Sequence, residues 1–364
     1  MNTKRVIMAF LLLVLLAGCN SSLPSKPIVE SPGNSDDSNA TTAPVESGSA
    51  INRLRLETEK KDGLGNSVSN LHYLGLIVGD FRQLYTVEYW EKDTTENRAG
   101  MQIYVSDEAG KRCLTNENDI VGYLNLTDTT LYYVNGRGIS MIERSTEAVQ
   151  EVIAMEAISF LLLAENCLYY IAEETLYEYN LEKQSQREIA TGVWEGYLDY
   201  EDKQLFFCAD LDIENLSASF CRIKNDKVAE VVAPIDLSRI LPYKMIDGNT
   251  LLCAEKDSSS SEIQDRYKLV LLTLENNTTH VLIDNVTIGS FVQNGNQVIV
   301  GTGLNEVNKR WLIHLDNKEA EEIPTWGEGT LNFTANRLFA VNIIDVSHKE
   351  LTIEKDQFFS KPLN

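Results

Sequence analysis

Short apolar segments separated by polar turns recur along most of this chain at a nearly regular spacing. Each repeat contains a trio of bulky, mostly apolar residues, and the trios begin at Leu84, Leu131, Leu168, Leu205, Leu251, Val298 and Leu338. Successive trios are 47, 37, 37, 46, 47 and 40 residues apart, or about 42 on average, a spacing typical of repeats that each form one small β-sheet. The pattern therefore predicts seven copies of a single structural unit.

Each repeat holds segments of strand length joined by tight turns. Before the trio lies another apolar run, such as GYLNL from Gly122 or GYLDY from Gly196, and turn-forming residues such as Asp128 join the two into a hairpin. A third alternating segment follows, such as WLIHL from Trp311, and six of the seven repeats show a fourth. One such meander cannot bury both of its faces, so the repeats must pack against one another. We therefore predict an all-β fold: a seven-bladed β-propeller of four-stranded antiparallel blades, or six or eight blades if one repeat is misassigned.

Adjacent aromatic residues occupy the second strand of three consecutive repeats. These residues are Tyr132, Tyr133, Tyr169, Tyr170, Phe206 and Phe207. Successive side chains of a strand point to opposite faces of its sheet. We expect these rings to pack between neighbouring blades.

The two ends of the repeat array raise the question of how the ring closes. Residues 51–57 (INRLRLE) alternate like an isolated strand, whereas the last repeat shows no clear fourth strand. Circular propellers often pair an N-terminal strand into the last blade, which removes exposed sheet edges. We predict that residues 51–57 close the ring in this way, and the alternative is a C-terminal strand over residues 357–360.

The repeats differ in length mainly between their second and third strands. The long insertions cover residues 88–100, 209–216, 255–267 and 301–309. In a propeller these loops emerge on one face, together with the connections between blades, and long loops on a common rim are where recognition tends to occur.

The first residues of the chain form an export signal. A basic start at Lys4 and Arg5 precedes an apolar run and the small residues that lead to Cys19. The sequence LAGC that ends at Cys19 resembles the lipobox of bacterial lipoproteins, in which this cysteine is acylated and the chain is cleaved just before it. The resemblance implies a signal peptide over residues 1–18, lipidation at Cys19 and a protein held at the cell membrane on its extracytoplasmic side, since several acyl chains anchor firmly.

Residues 19–50 are rich in Ser, Pro, Asn, Asp and Thr and carry almost no large apolar side chain. Such a segment cannot bury enough surface to order itself, so we predict a tether with a reach of roughly 30 Å. The propeller domain is then expected over residues 51–364. With 32 Lys and Arg against 54 Asp and Glu, the formal charge is −22, which disfavours a nucleic-acid partner.

The strand pattern of the body, best seen at residues 103–111 (IYVSDEAGK), resembles that of propeller domains in bacterial surface lipoproteins, in the style of low-density-lipoprotein-receptor and TolB-like propellers. The resemblance implies interaction or scaffolding, and it transfers no catalytic residue and no cofactor. No nucleotide-binding glycine loop and no serine-nucleophile motif is present in the sequence.

A few residues are candidates for specific chemistry. Asp210, Asp212 and Glu214 form a weak candidate for a calcium site because alternating carboxylates supply hard oxygen ligands. Cys208 and Cys221 lie on neighbouring strands, which leaves a disulfide open as an alternative to two buried thiols. The remaining candidates are the four histidines, which we interpret as isolated, and four tryptophans considered for stacking on sugars: His72, His280, His314 and His348, and Trp90, Trp194, Trp311 and Trp326.

Taken together, the sequence predicts a monomeric, non-enzymatic lipoprotein whose propeller binds a protein or glycan through its long-loop rim. A propeller-type polysaccharide hydrolase or lyase is the first alternative, and an envelope-assembly scaffold that recognises strand edges is the second. An enzyme should show a deep central funnel with converging polar side chains, whereas a scaffold should show a packed or plain channel.

Overall fold

A computed structural model describes residues 66–91, 99–115, 121–224, 229–256, 267–286, 288–302, 309–324, 329–334, 337–342, 347–354 and 357–363. Within these ranges the chain begins with one short helix, α1 (Val68–Leu71), and continues as strands. The predicted signal peptide, the tether with Cys19, and residues 51–57 lie outside the described residues.

The strands form seven sheets of four, and each sheet uses four consecutive strands of the chain. Blade 1 contains β1 (Ile77–Gly79), β2 (Leu84–Glu91), β3 (Ala99–Asp107) and β4 (Gly110–Cys113). Blade 2 contains β5 (Gly122–Leu126), β6 (Thr130–Asn135), β7 (Gly138–Glu143) and β8 (Val149–Ala154), and blade 3 contains β9 (Ile158–Ala164), β10 (Cys167–Ala172), β11 (Thr175–Asn180) and β12 (Ser185–Thr191). Blade 4 contains β13 (Leu198–Glu201), β14 (Gln204–Asp212), β15 (Ser217–Lys224) and β16 (Glu230–Asp236).

Blade 5 contains β17 (Ile240–Met245), β18 (Thr250–Lys256), β19 (Tyr267–Thr273) and β20 (Thr278–Val286). Blade 6 contains β21 (Ile288–Asn294), β22 (Gln297–Thr302), β23 (Arg310–His314) and β24 (Glu319–Ile323), and blade 7 contains β25 (Thr330–Thr334), β26 (Arg337–Asn342), β27 (Ser347–Glu354) and β28 (Gln357–Pro362). All neighbouring strands within a blade are antiparallel, as in the pairs β1–β2 and β27–β28. The predicted seven-bladed propeller of four-stranded blades is confirmed.

The first strands of the blades surround a common axis. Contacts link β1 to β5, β5 to β9, β9 to β13, β13 to β17, and β21 to β25, while β25 contacts β1 and closes the ring. The fourth strand of the last blade is β28, which pairs with β27 from Lys349 opposite Pro362 to Glu354 opposite Gln357. The alternative of a C-terminal strand is therefore correct, and the place predicted for residues 51–57 in this blade is already filled. An outermost strand buries little surface, which explains why its hydrophobic pattern was weak.

The cores lie between blades, as the aromatic pairs predict. Tyr132 and Tyr170 share a buried cluster with residues of blades 2 and 3, and Tyr169 and Phe207 share the cluster between blades 3 and 4. Phe206 points the other way, into the cluster between blades 4 and 5. Adjacent residues of one strand therefore pack against the two neighbouring blades, because successive side chains of a strand point to opposite faces of its sheet.

The two candidate disulfide cysteines face opposite sides of blade 4. Cys208 lies opposite Phe220, and Cys221 lies opposite Phe207. This offset of one residue sends the Cys208 thiol into the core shared with blade 5 and the Cys221 thiol into the core shared with blade 3. Both thiols are free and buried, so the disulfide alternative is excluded and each cysteine acts as a small apolar side chain.

The propeller has two distinct faces. On one, which we call the loop face, turns between second and third strands bind the connections between blades; for example, the Met155 amide donates to the Arg137 carbonyl at 3.1 Å and the Val193 amide to the Glu174 carbonyl at 2.8 Å. On the other, the turn face, hairpin turns bind one another, and the Arg144 amide donates to the Thr129 carbonyl at 2.8 Å.

Candidate functional site

The centre of the ring is occupied by the chain itself. Helix α1 contacts the first strands β9, β13, β17, β21 and β25, and its residues Val68, Ser69, Asn70 and Leu71 are all buried. We call residues 66–75 the plug. Within the described residues, the plug packs against the inner strands of five blades.

Asn70 is the main polar contact of the plug. Its Nδ2 donates to the Phe333 carbonyl at 2.9 Å, and its Oδ1 accepts from the Phe333 amide at 3.1 Å. Among the described strands, none pairs with the inner edge of β25, so its backbone groups need other partners. The carboxamide of Asn70 supplies one acceptor and one donor, as a paired strand would. A second hydrogen bond from Nδ2 to Asn66 Oδ1, at 2.9 Å, orients the group.

Other plug residues serve the inner edges of other blades in the same way. Tyr73 Oη accepts from the Phe291 amide at 3.2 Å, and Asn66 Nδ2 donates to the Leu124 carbonyl at 2.9 Å. The Leu124 amide in turn donates to the Gly75 carbonyl at 3.0 Å. The plug therefore satisfies backbone groups of β5, β21 and β25 that water would otherwise have to reach.

A recurring polar position in the first strands ties neighbouring blades together. In GYLNL the fourth residue is Asn125, whose Nδ2 donates to the Leu161 carbonyl at 3.1 Å and whose Oδ1 accepts from the Leu163 amide at 3.1 Å. In GYLDY the same position is Asp199, whose carboxylate accepts from the Met245 amide at 2.7 Å. A side chain of one inner strand thus binds the backbone of the next.

Asp199 is also the centre of a buried charged cluster between blades 4 and 5. Lys244 Nζ lies 3.0 Å from Asp199 Oδ1 and 2.8 Å from Glu201 Oε2, and Tyr197 Oη donates to Asp199 Oδ2 at 3.3 Å. Burial alone would lower the pKa of Lys244, but the two carboxylates outweigh it and raise the pKa above its usual value. Lys244 therefore stays protonated near pH 7 and contacts both acidic side chains, which suits a structural clamp.

His72, a residue of the plug, lies beside this cluster. Its ring stacks on Tyr197 with centroids 5.9 Å apart and meets Phe160 edge-on at 5.7 Å, and its buried Nε2 has no hydrogen-bond partner among the described residues. Burial, which outweighs the attraction of nearby Asp199, lowers the pKa of His72 to about 4. The imidazole is therefore neutral near pH 7 and packs as an aromatic ring.

Replacement of His72 by Phe should make the protein less sensitive to acid. Because the folded-state pKa of about 4 lies below the usual 6.5, the unfolded chain takes up the proton first. The free energy of unfolding therefore includes a contribution from neutral His72 that is complete above pH 6.5. This contribution is lost as the pH falls towards 4, by up to about 3 kcal/mol. Urea unfolding of both proteins at neutral pH and near pH 4 measures the difference. An equal acid-induced loss in both would contradict the assignment.

The acidic candidate residues lie on the β14–β15 hairpin. Asp212 Oδ1 accepts from the amides of Glu214 and Asn215 at 3.0 and 3.1 Å, and its Oδ2 accepts from Asn215 Nδ2 at 2.7 Å. The carboxylate thus shapes the turn. In the described part of the chain, no group of three or more His, Cys, Asp or Glu side chains is placed to hold a metal ion.

The histidine and tryptophan candidates do not converge. His348 is buried with Nε2 at 2.7 Å from the Val87 carbonyl oxygen, and His314 Nε2 lies 3.0 Å from Glu321 Oε1, while His280 is exposed on β20. Trp194 lies at the loop face before β13 and Trp311 within β23. The side chain of Trp90 and all of Trp326 lie outside the described residues.

The structure places the rim insertions only in part. The insertion at 209–216 is mostly strand, because β14 extends to Asp212 and leaves a four-residue turn before β15. Residues 92–98, 257–266 and 303–308, which form much of the other three insertions, lie outside the described residues.

No protein-family model matches the chain, and no curated protein sequence matches it. Solved structures do match. The β-propeller domain of the Trilobed protease from Pyrococcus furiosus aligns at 11% identity over 79% of this chain and 94% of its own, with a TM-score of 0.53. Oligogalacturonate lyase in complex with manganese aligns at 8% identity over 78% of this chain and 85% of its own, also at 0.53.

TolB from Acinetobacter baumannii matches at 14% identity over 67% of this chain, which spans only 64% of TolB, with a TM-score of 0.38. At these identities the likeness extends to the fold alone. The chain is a seven-bladed β-propeller, as its own sheets show. Among the described residues, no helix is both long and apolar enough to cross a membrane.

Proposed function

We propose that this protein is a membrane-anchored extracytoplasmic lipoprotein whose propeller binds a protein or glycan partner at its loop face, as a monomer and without catalysing a reaction. The observation that carries the binding role is the plug. Residues 66–75 fill the position where an enzyme of this architecture would need an open funnel, and Asn70 and Tyr73 hydrogen-bond to the inner strands. Recognition is then left to the outer surface, where the loop face carries the long insertions.

The charged groups of the channel argue against the hydrolase or lyase alternative. A glycan-cleaving site needs carboxylates that face one cleft open to substrate. Asp199 is fully buried and receives hydrogen bonds from Lys244, Tyr197 and the Met245 amide. A carboxylate that is fully buried and holds structural hydrogen bonds is not open to a substrate.

The anchor part of the proposal rests on the sequence LAGC and on the polar segment that follows it. Acylation at Cys19 would hold the chain at the membrane, and residues 19–50 would keep the propeller roughly 30 Å from the lipid headgroups. A partner could then reach either face of the ring.

One experiment in intact cells tests both parts. A photo-crosslinking residue replaces Arg137 on the loop face or Asp128 on the turn face; both positions are exposed and both belong to blade 2. With Cys19 intact, the protein should stay with the membrane fraction, and the Arg137 position should give a discrete crosslinked product that the Asp128 position does not give. With Cys19→Ala, the protein should be released from the membrane.

The outcomes separate the two claims. Retention of Cys19→Ala in the membrane fraction with labelled fatty acid still incorporated would remove the lipidation proposal. Crosslinking that is absent from the loop face, or equal from both faces, would remove the binding proposal. Turnover of a polysaccharide by the purified chain that is abolished by Asp199→Asn, with the fold retained, would favour the enzyme alternative.

A further inference from the structure

The tip of the β14–β15 hairpin exposes two large apolar side chains on the loop face. Ile213 and Leu216 are 44% and 42% exposed, and all four residues of the turn that contains them, 213–216, are exposed. This hairpin belongs to one of the long insertions noted in the sequence. Apolar side chains placed together at a projecting tip are typical of a contact with another molecule.

Leu216 is not required by the turn. Its φ is +49°, in the left-handed region that disfavours a residue with a Cβ. Three other four-residue hairpin turns have the same form, with φ between +50° and +59° at the last position, and there the residue is polar: Gln184, Asn277 and Lys318. A leucine in a strained and exposed position therefore has another reason to be there.

The tip continues into a partly buried apolar surface. A β-bulge interrupts the register between Ala209 and Asp212, and within it Leu211, like Trp194, packs against the core shared with blade 5. The Leu237 amide donates to the Leu216 carbonyl at 2.6 Å, which brings a third partly buried side chain to the tip. We call Trp194, Leu211, Ile213, Leu216 and Leu237 the tip patch.

The indole of Trp194 lies close to the backbone at Gly196. A Cβ atom at Gly196 would collide with Trp194 Cζ2, so glycine leaves the space that the ring occupies.

The rim of the tip patch is acidic. Asp210 and Glu214 are exposed on the hairpin, and Asp236 is exposed at the end of β16. The nearby cation Arg239 is paired with Glu255 at 2.9 Å. An apolar centre with a carboxylate rim is complementary to a segment that carries apolar and basic side chains together.

We propose that the tip patch docks a basic, amphipathic segment of a partner protein. The inference rests on the proposed binding function and names its contact surface and the chemistry of its partner. Ile213, Leu216 and Trp194 supply the apolar contact, and Asp210 and Glu214 select basic side chains.

The test uses the purified propeller and three short labelled peptides in fluorescence anisotropy. The probe is an amphipathic leucine–lysine peptide, and matched leucine–glutamate and serine–lysine peptides remove one property each. The variants are Leu216→Gly, Ile213→Ser and Glu214→Gln. Leu216→Gly relieves the left-handed strain, so its unfolding midpoint should stay the same or rise, which separates a loss of binding from a loss of folding. The control is Phe81→Ser, which removes a 77% exposed apolar side chain from the turn face.

We expect the leucine–lysine peptide to bind at least tenfold tighter than the other two peptides. Leu216→Gly and Ile213→Ser should each weaken it about tenfold, which corresponds to about 1.4 kcal/mol, and Glu214→Gln should reduce its salt dependence. Phe81→Ser should bind as the unchanged protein does.

Several results would overturn the proposal: unchanged affinity in both tip variants, equal loss in Phe81→Ser, or equal affinity for the serine–lysine peptide. Tip-dependent binding of cello- or chito-oligosaccharides instead would assign the patch to a glycan. Tip-dependent self-association in sedimentation would assign it to a second copy of the chain. If the peptide result fails but the Arg137 crosslink persists, only this inference falls and the proposed function stands.

Discussion

The substitution Asn70→Ala is expected to destabilise the propeller by about 3 kcal/mol. The side chain is fully buried and carries the hydrogen bonds to both backbone groups of Phe333. Alanine leaves an amide and a carbonyl unpaired at a buried inner edge, and each such group costs about 1–3 kcal/mol. Because Asn70 links the first described segment to the last blade, the loss falls on the closure of the ring. Equilibrium unfolding in urea gives the value.

A matched control is Asn166→Ala. Asn166 is an exposed asparagine in a hairpin turn, where its Nδ2 donates to Glu182 at 2.9 Å. Its loss should change the unfolding free energy by less than about 0.5 kcal/mol. If Asn70→Ala lowers the unfolding free energy no more than this control does, the plug does not contribute to closure of the ring. The contacts between β1 and β25 would then be enough to close it.

The substitution Lys244→Met is expected to cost about 3–5 kcal/mol, because it leaves the Asp199 carboxylate buried without its cation. The pKa of Lys244 is raised by its carboxylate neighbours, so this stabilisation is complete below the usual lysine pKa and is lost only as the pH rises through the raised value. Unfolding near pH 7 therefore measures the full effect.

A double substitution shows whether charge is the cause. Asp199→Asn with Lys244→Met removes both charges and keeps an acceptor for the Met245 amide, so it should be about 2 kcal/mol more stable than Lys244→Met alone. The exposed pair of Lys309 and Glu322, at 3.2 Å, is the comparison, and Lys309→Met should cost less than about 1 kcal/mol. A Lys244→Met protein as stable as Lys309→Met would show that the buried pair is not a clamp.

The repeat could be predicted from the sequence because the packing of a blade depends on residues that are close together in the chain. A trio such as Leu168-Tyr169-Tyr170 must alternate between two faces, and the structure places Tyr169 and Tyr170 in different inter-blade cores. The strand period of two and the turn residues between segments are properties of a few neighbouring residues. The number of blades and their four strands followed from these signals.

The plug could not be predicted in the same way. Helix α1 is four residues long, too short for a helical period, and the role of Asn70 depends on Phe333, 263 residues away. The sequence did contain one related signal, since Asn125 and Asp199 occupy the same position in two first strands. The structure shows that this position binds the backbone of the next inner strand, which a strand pattern alone does not reveal. The relation of Cys208 to Cys221 similarly depends on a one-residue offset that spacing does not reveal.

The contact between Asn70 and Phe333 can form only after the last blade has been synthesised. The plug leaves the ribosome well before the blade whose edge it binds, since 263 residues separate the two partners. Early blades can form as local meanders while the chain grows, but the circle has no completed state until the seventh blade exists. A nascent chain that stalls before the seventh blade is made would thus present open blade edges and a plug without its partner at Phe333.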